Sequence, residues 1–365
     1  MLTEALTAKP PTAIASRRIL RMAVGTALGI WVSQAMSWPM AFVAPLLAFV
    51  FLSLPLPRPT LKMTFSFILV LALSSYAGVV LLPFLQYARW VGVGLFILAL
   101  FHTFHFTAKG GSAALGTFMT LGLTLVAAVG SVSSVVMVEI AKWMTISAVW
   151  AMVFVWLAHA LIPDPPPSSD LAAKKPSPAS PPDPETARLR AMRSMLIVLP
   201  VALIFFFSSA STSYLIVMIK VATMGQQANI DSSRSAGRSM LLSTVIGGFG
   251  AIIAWQILSI WPSLFVYTLV VLLLALLVGP KIFQGTGLHP KGAMWSYAYL
   301  TMIVVLAPAV TDGFGSDGAT SAFYTRLFLF IVIAVYGSIA VAVFDAFWPR
   351  VMGEDGALRG KPAPA

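Results

Sequence analysis

Long apolar runs broken by short polar stretches make up most of the chain, and none of them alternates with the period of two expected of a half-buried strand. Six runs precede Pro163, near 22–37, 39–56, 63–85, 90–107, 112–131 and 140–162. Six more follow Arg193, near 194–209, 212–225, 238–259, 263–280, 293–311 and 322–347. Each reads as a helix, since a helix satisfies its own backbone within hydrocarbon. The first two runs of each half are shorter than the roughly 20 residues that cross a core of about 30 Å. Each short pair meets at a polar break, Gln34 to Pro39 in one half and Ser208 to Ser213 in the other. The pattern predicts either tilted short helices or discontinuous helices lining a cavity.

Between the halves, Pro163 to Pro184 holds nine prolines in 22 residues, with serines and Lys174-Lys175. Such a segment has no apolar periodicity with which to build a core and reads as a polyproline-like linker. Residues 1–16 and 350–365 are polar flanks around two units, 17–162 and 191–349, joined by the linker 163–190. A shift of 172 residues lays Arg21 on Arg193, Lys62 on Arg234 and Gly78 on Gly250. His159-Ala160 and Asp345-Ala346 correspond at a slightly larger offset. The expected fold is therefore an all-α polytopic integral membrane protein, with about twelve transmembrane helices as two repeats of about six. The cluster Arg17-Arg18 before an apolar run has the layout of a signal peptide, but the layout recurs at Arg193, so no cleaved leader is expected.

Composition agrees: of 365 residues 59% are hydrophobic and 10% charged, with a mean hydropathy of +0.91. The net charge of +11 would suggest nucleic acid in a soluble chain. Here the cations lie between apolar runs, and nucleic-acid binding is not expected. Placing both termini and the linker in the cytoplasm puts 19 of the 23 basic residues on that side, the side on which short loops retain lysine and arginine. Arg89, Lys142 and Arg326 then fall at outer segment ends, and Lys220 falls inside a segment. The chain has no cysteine, which excludes disulfides, thiolate nucleophiles and cysteine-ligated metal.

A cation at the bilayer centre costs at least roughly 2.5–3.5 kcal/mol, so Lys220 needs a reason. Facing a cavity, it would attract an anionic group of a substrate. Equally, it could pair with Asp231 or Asp345 from another helix, or snorkel. Gln226, Gln227, Asn229 and Arg234 follow it toward the cytoplasmic end and suit an inner vestibule that collects anions. Simple charge retention explains Arg58, Lys62 and Arg238. His102 and His105, three residues apart on one helix face, are candidates for proton transfer or for interfacial snorkelling. Asp231 and Asp345 are candidate proton-coupling carboxylates. No metal site and no cofactor is expected. Gly313-Phe-Gly-Ser-Asp-Gly318 imitates a dinucleotide fingerprint but lies between two membrane helices rather than after a strand. With no phosphate-binding loop and no recognisable catalytic set, neither an ATP-driven pump nor an enzyme is expected.

The layout resembles the fusaric acid resistance superfamily of aromatic acid exporters. The residues carrying the resemblance are Arg21, Trp38-Pro39, Pro45, Pro57-Arg58, Lys62 and Gly78 in the first half. In the second half they are Arg193, the serine-rich break, and Arg234 to Gly250 with Arg238 and Gly247-Gly248. At the third helix this chain has Lys62-Met-Thr-Phe-Ser-Phe where members commonly carry Arg-x-x-Gly-Thr, and its linker leaves no room for the large cytoplasmic domain of bigger members. The resemblance implies a small divergent branch. It further implies proton-driven export of aromatic or hydroxylated carboxylic acids across a bacterial inner membrane, alongside a periplasmic membrane-fusion adaptor. The alternative from a different class is a non-transporting membrane scaffold that binds its partner through the linker.

Overall fold

In the computed structural model, the described residues are 13–130, 134–163, 183–207, 219–226, 236–311 and 319–347. They form twelve helical stretches. The first half contains α1 Ala13–Ala35, α2 Val43–Leu52, α3 Leu61–Tyr87, α4 Arg89–Ala108, α5 Ala113–Gly130 and α6 Ser134–Leu161. The second contains α7 Pro184–Phe207, α8 (residues 219–226), α9 Ala236–Ile260, α10 Leu264–Ile282, α11 Gly292–Thr311 and α12 Ala319–Phe347. A two-residue ribbon, β1 Phe283–Gln284 with β2 Gly287–Leu288, turns the chain from α10 to α11 through Gly285, whose φ of +59° suits glycine.

Seven of these helices, α3, α4, α6, α9, α10, α11 and α12, are long and apolar enough to cross a membrane. The outward faces agree. On α3, Leu61, Phe65, Leu69, Leu73, Tyr76 and Val80 form an exposed stripe at helical spacing. On α10, Phe265, Leu269, Leu273 and Leu277 do the same. Continuous apolar ridges of this length on several helices fit lipid and not water. The chain is an all-helical multi-pass membrane protein.

Two expected boundaries are corrected. α1 starts at Ala13 and runs 23 residues, and α7 starts at Pro184 and runs 24, so neither is short. Residues 184–190, assigned to the linker, are helical. The arginines in these first turns interrupt the apolar run without ending the helix. Those of α1 bond carbonyls at the end of α6: Arg17 donates to Pro163 O (3.0 Å) and Arg21 Nε to Ile162 O (3.1 Å). Of the helices expected to be short, α2 is so, at 10 residues.

The helix pairings of the first half recur six helices later. α3 packs on α4, α5 and α6 as α9 packs on α10, α11 and α12. α1 packs on α6 as α7 packs on α12. Between the halves the pairings are reciprocal, α1 on α10 and α4 on α7, so the first helix of each half lies against the fourth of the other. α5 and α11 are the central elements: every residue of α11 from Ala298 to Ala309 is buried. Arg18 also donates to Thr286 O (2.6 Å), which sets the start of α1, the end of α6 and the α10–α11 ribbon at one end of the bundle.

Candidate functional site: a buried lysine between the halves

α8 sits in the middle of the molecule. Residues 219–226 read Ile-Lys-Val-Ala-Thr-Met-Gly-Gln, and all eight are buried. Three glycine contacts define its surroundings. A Cβ added at Gly225 would collide with Val198 of α7 and lie 2.6 Å from Phe104 of α4. One added at Gly337 of α12 would meet Met224. Close approach of α4, α7 and α12 thus packs the helix tightly among the described residues.

Lys220 is 3% exposed, and its Nζ donates to Thr301 Oγ1 of α11 at 3.2 Å. An ammonium has three donors, and one hydroxyl accepts one of them. Thr301 is backed by Gly247 of α9, where an added Cβ would strike the Ala298 carbonyl oxygen and lie 2.8 Å from Thr301 Cβ. Gly247 thus lets α11 approach α9 closely enough to set the Thr301 hydroxyl at the lysine. Thr223 Oγ1 donates to Lys220 O (3.0 Å), which ties it to its own helix.

One and two-thirds turns on, Gln226 faces the other half. Fully buried, it donates from Nε2 to Gly116 O (3.0 Å) and Thr120 Oγ1 (2.7 Å) of α5. Thr120 passes its own hydrogen to Gly116 O (2.9 Å), and Thr124 donates to Thr120 O (2.7 Å). Gln226 Oε1 and Thr107 Oγ1 both border the space beside Gly116 and have no hydrogen-bond partner among the described residues. α8 therefore carries a cationic group toward α11 and an amide toward α5, and it is bonded to both halves. Gln226 belongs to the interior rather than to an open vestibule.

Among the described residues four Lys and Arg side chains are buried: Arg21, Arg193, Lys220 and Arg326. Among the described residues no Asp or Glu side chain is buried, and the ion pair Lys142–Glu139 (3.4 Å) is exposed. Sequence reasoning foresaw burial for Lys220 alone; Arg21 was read as part of the basic cluster before the first apolar run. Arg326 was placed at an outer end, yet it lies more than one turn inside α12 and is 5% exposed. Arg193 was read as opening a segment, whereas α7 starts nine residues earlier.

The other expected site residues do not join this cluster in the described residues. Gln227, Asn229, Asp231 and Arg234 lie outside the described residues, as does Gly313 to Gly318. Asp345 falls near the end of α12, with its side chain outside the description. His102 is exposed, with Nδ1 2.8 Å from Leu98 O on its own helix. His105 stacks on Phe101 at 5.5 Å between ring centres. Among the described residues no three His, Asp or Glu side chains gather as a metal site.

Fold and site together define the class: an all-helical multi-pass membrane protein with polar and cationic groups held at the junction of two six-helix halves. Residues 18–158 match the family described as "Protein of unknown function (DUF2955)", a stretch that begins in α1 and ends in α6. Comparison with curated proteins and with solved structures finds no match.

Proposed function

We propose that the protein is a secondary transporter that exports small organic anions, such as aromatic or hydroxylated carboxylic acids, from the cytoplasm of a bacterium. Lys220 carries this reading: a lysine Nζ in the interior, with a hydroxyl as its hydrogen-bond partner, lies on a helix bonded to both halves. The substrate carboxylate pairs with Lys220 and Thr301, and a rocking of the halves about α8 exposes the pair to either side in turn. Protons drive the cycle through Asp231 or Asp345, with His102 and His105 as further relays. The orientation has the start of α1 in the cytoplasm, and a periplasmic membrane-fusion adaptor carries the substrate onward.

The test is Lys220→Ala in cells challenged with a panel of aromatic acids, with membrane insertion checked in parallel. Loss of acid tolerance at normal abundance is expected, and unchanged tolerance sinks the role. Deleting residues 168–183 separates transport from the scaffold reading: a transporter keeps activity, whereas a scaffold acting through the linker loses its function.

A further inference from the structure

The charges at the junction of the halves narrow what Lys220 can carry. We infer that the site passes monoanions alone: one carboxylate per substrate, with every other substituent uncharged. This rests on the transporter reading of Lys220 and adds the rule by which the site selects.

Lys220 Nζ bonds Thr301, the tenth residue of the 20-residue α11. The ammonium therefore lies near mid-depth, with roughly 14 Å of membrane-crossing helix on either side. Thr301 accepts one of its three hydrogens, and the other two match the two oxygens of a single carboxylate. The pair so formed is neutral. Among the described residues the other buried Lys and Arg side chains are Arg21, Arg193 and Arg326; each has contacts of its own, and none acts electrostatically on Lys220. Residues 298–309 of α11 are buried, and apart from Thr301 and Tyr299 they are apolar. Tyr299 turns its hydroxyl away to Val271 O of α10 at 2.9 Å.

The repeat gives an independent argument. A dianion held at a two-fold junction calls for one cation from each half. Here the 172-residue offset puts Ala48 of α2 where α8 has Lys220. α2 also packs on α11, and its contact there is the Phe49 ring 4.7 Å from that of Tyr299. The first half thus presents hydrocarbon to α11 where the second presents an ammonium. A second carboxylate carried through this junction is unpaired at mid-depth, which lowers its passage about fiftyfold or more. A hydroxyl or an amide in the same place costs far less, because it carries no charge.

The test varies the substrate and leaves the full-length protein intact. Proteoliposomes are loaded in turn with para-hydroxybenzoate, para-carbamoylbenzoate and terephthalate at neutral pH, and initial efflux above the leak of protein-free vesicles is measured. The last two are nearly equal in size and differ by one charge. Carbamoylbenzoate should leave within about fivefold of hydroxybenzoate, and terephthalate at least about tenfold more slowly than carbamoylbenzoate. A smaller gap between the last two overturns the inference while the transporter reading stands, and shows that a second cation reaches the substrate. If carbamoylbenzoate lags hydroxybenzoate as far as terephthalate does, size and not charge selects, which also overturns it. Absence of efflux for all three is failure of the transporter reading itself, and the inference falls with it.

Discussion

Replacing Lys220 by Met separates a functional lysine from a structural one, because the two roles predict opposite changes in stability. The stem of the side chain is kept, so no cavity opens among Ile219, Val221 and their neighbours. One hydrogen bond is lost, from Nζ to Thr301 Oγ1. Bonds of this kind between membrane helices contribute on average about 0.6 kcal/mol and at most about 1.7 kcal/mol. The Thr301 hydroxyl is not orphaned, since it can turn to a carbonyl one helical turn back along α11, as Thr311 does toward Ala307 O (3.0 Å). Against this loss stands removal of a lysine from membrane depth, a gain of about 2.5–3.5 kcal/mol. The sum favours the variant by about 1–3 kcal/mol.

Reversible denaturant unfolding in micelles measures the difference, and anion efflux from proteoliposomes measures the activity. The expected result is a more stable protein that no longer transports, as when a binding group is held at a cost to the fold. Had Lys220 been paired with Asp231 or Asp345, Lys220→Met would strand a buried carboxylate and lose about 3–5 kcal/mol. A fall in stability of more than about 1 kcal/mol therefore refutes the reasoning.

Three further substitutions bear on the neighbours of Lys220. Thr301→Val should raise the half-saturating anion concentration about tenfold in the efflux assay by removing the oxygen that aims Nζ, and Thr301→Ser should restore it; no change with Val excludes the hydroxyl from the site. Gly247→Ala should lower unfolding stability by about 1–3 kcal/mol, since its Cβ meets the Ala298 carbonyl and Thr301, and a neutral result would mean that α9 and α11 are further apart than described. Gln226→Leu should change stability by less than about 1 kcal/mol: two interhelical bonds are lost, and burial of an unpartnered Oε1 is relieved. A drop of more than about 2 kcal/mol would show that the amide oxygen has a partner.

Much of the fold was legible because hydropathy and helical period carry it. α3, α4, α10 and α11 fall close to their expected runs, and the stripe from Leu61 to Val80 is written in the spacing of its large residues. The start of α1 was not legible, because a helix tolerates arginines in its first turns when carbonyls at a neighbouring helix end receive them. Only the folded structure brings Ile162 and Pro163 beside Arg21 and Arg17. In the site, the exceptional polarity of Lys220 in an apolar run was visible at once. Its partner was not, since nothing local ties residue 220 to residue 301, and Thr301 looks like any threonine of a membrane helix. Gln226 was singled out as polar but placed in an inner vestibule, because the sequence does not reveal that α5 offers it Gly116 O and Thr120 Oγ1.

The repeated packing sharpens what those polar residues mean. By helix order and contacts, α2 in the first half stands where α8 stands in the second: α2 packs on α1, α6 and α11, and α8 meets α7, α12 and α5. At the 172-residue offset Lys220 and Thr223 correspond to Ala48 and Phe51 of α2, and Gln226 to Leu54 just beyond its end. In α2 the interface is closed by apolar contact, with the Phe49 ring 4.7 Å from that of Tyr299 on α11. In α8 the equivalent interface is polar. If these three polar residues served only to hold α8 between the halves, α2 would need them equally, and it holds its place without them. Their presence on one copy alone is hard to explain by packing and follows directly if one side of the junction receives a charged ligand while the other serves as its hydrophobic hinge.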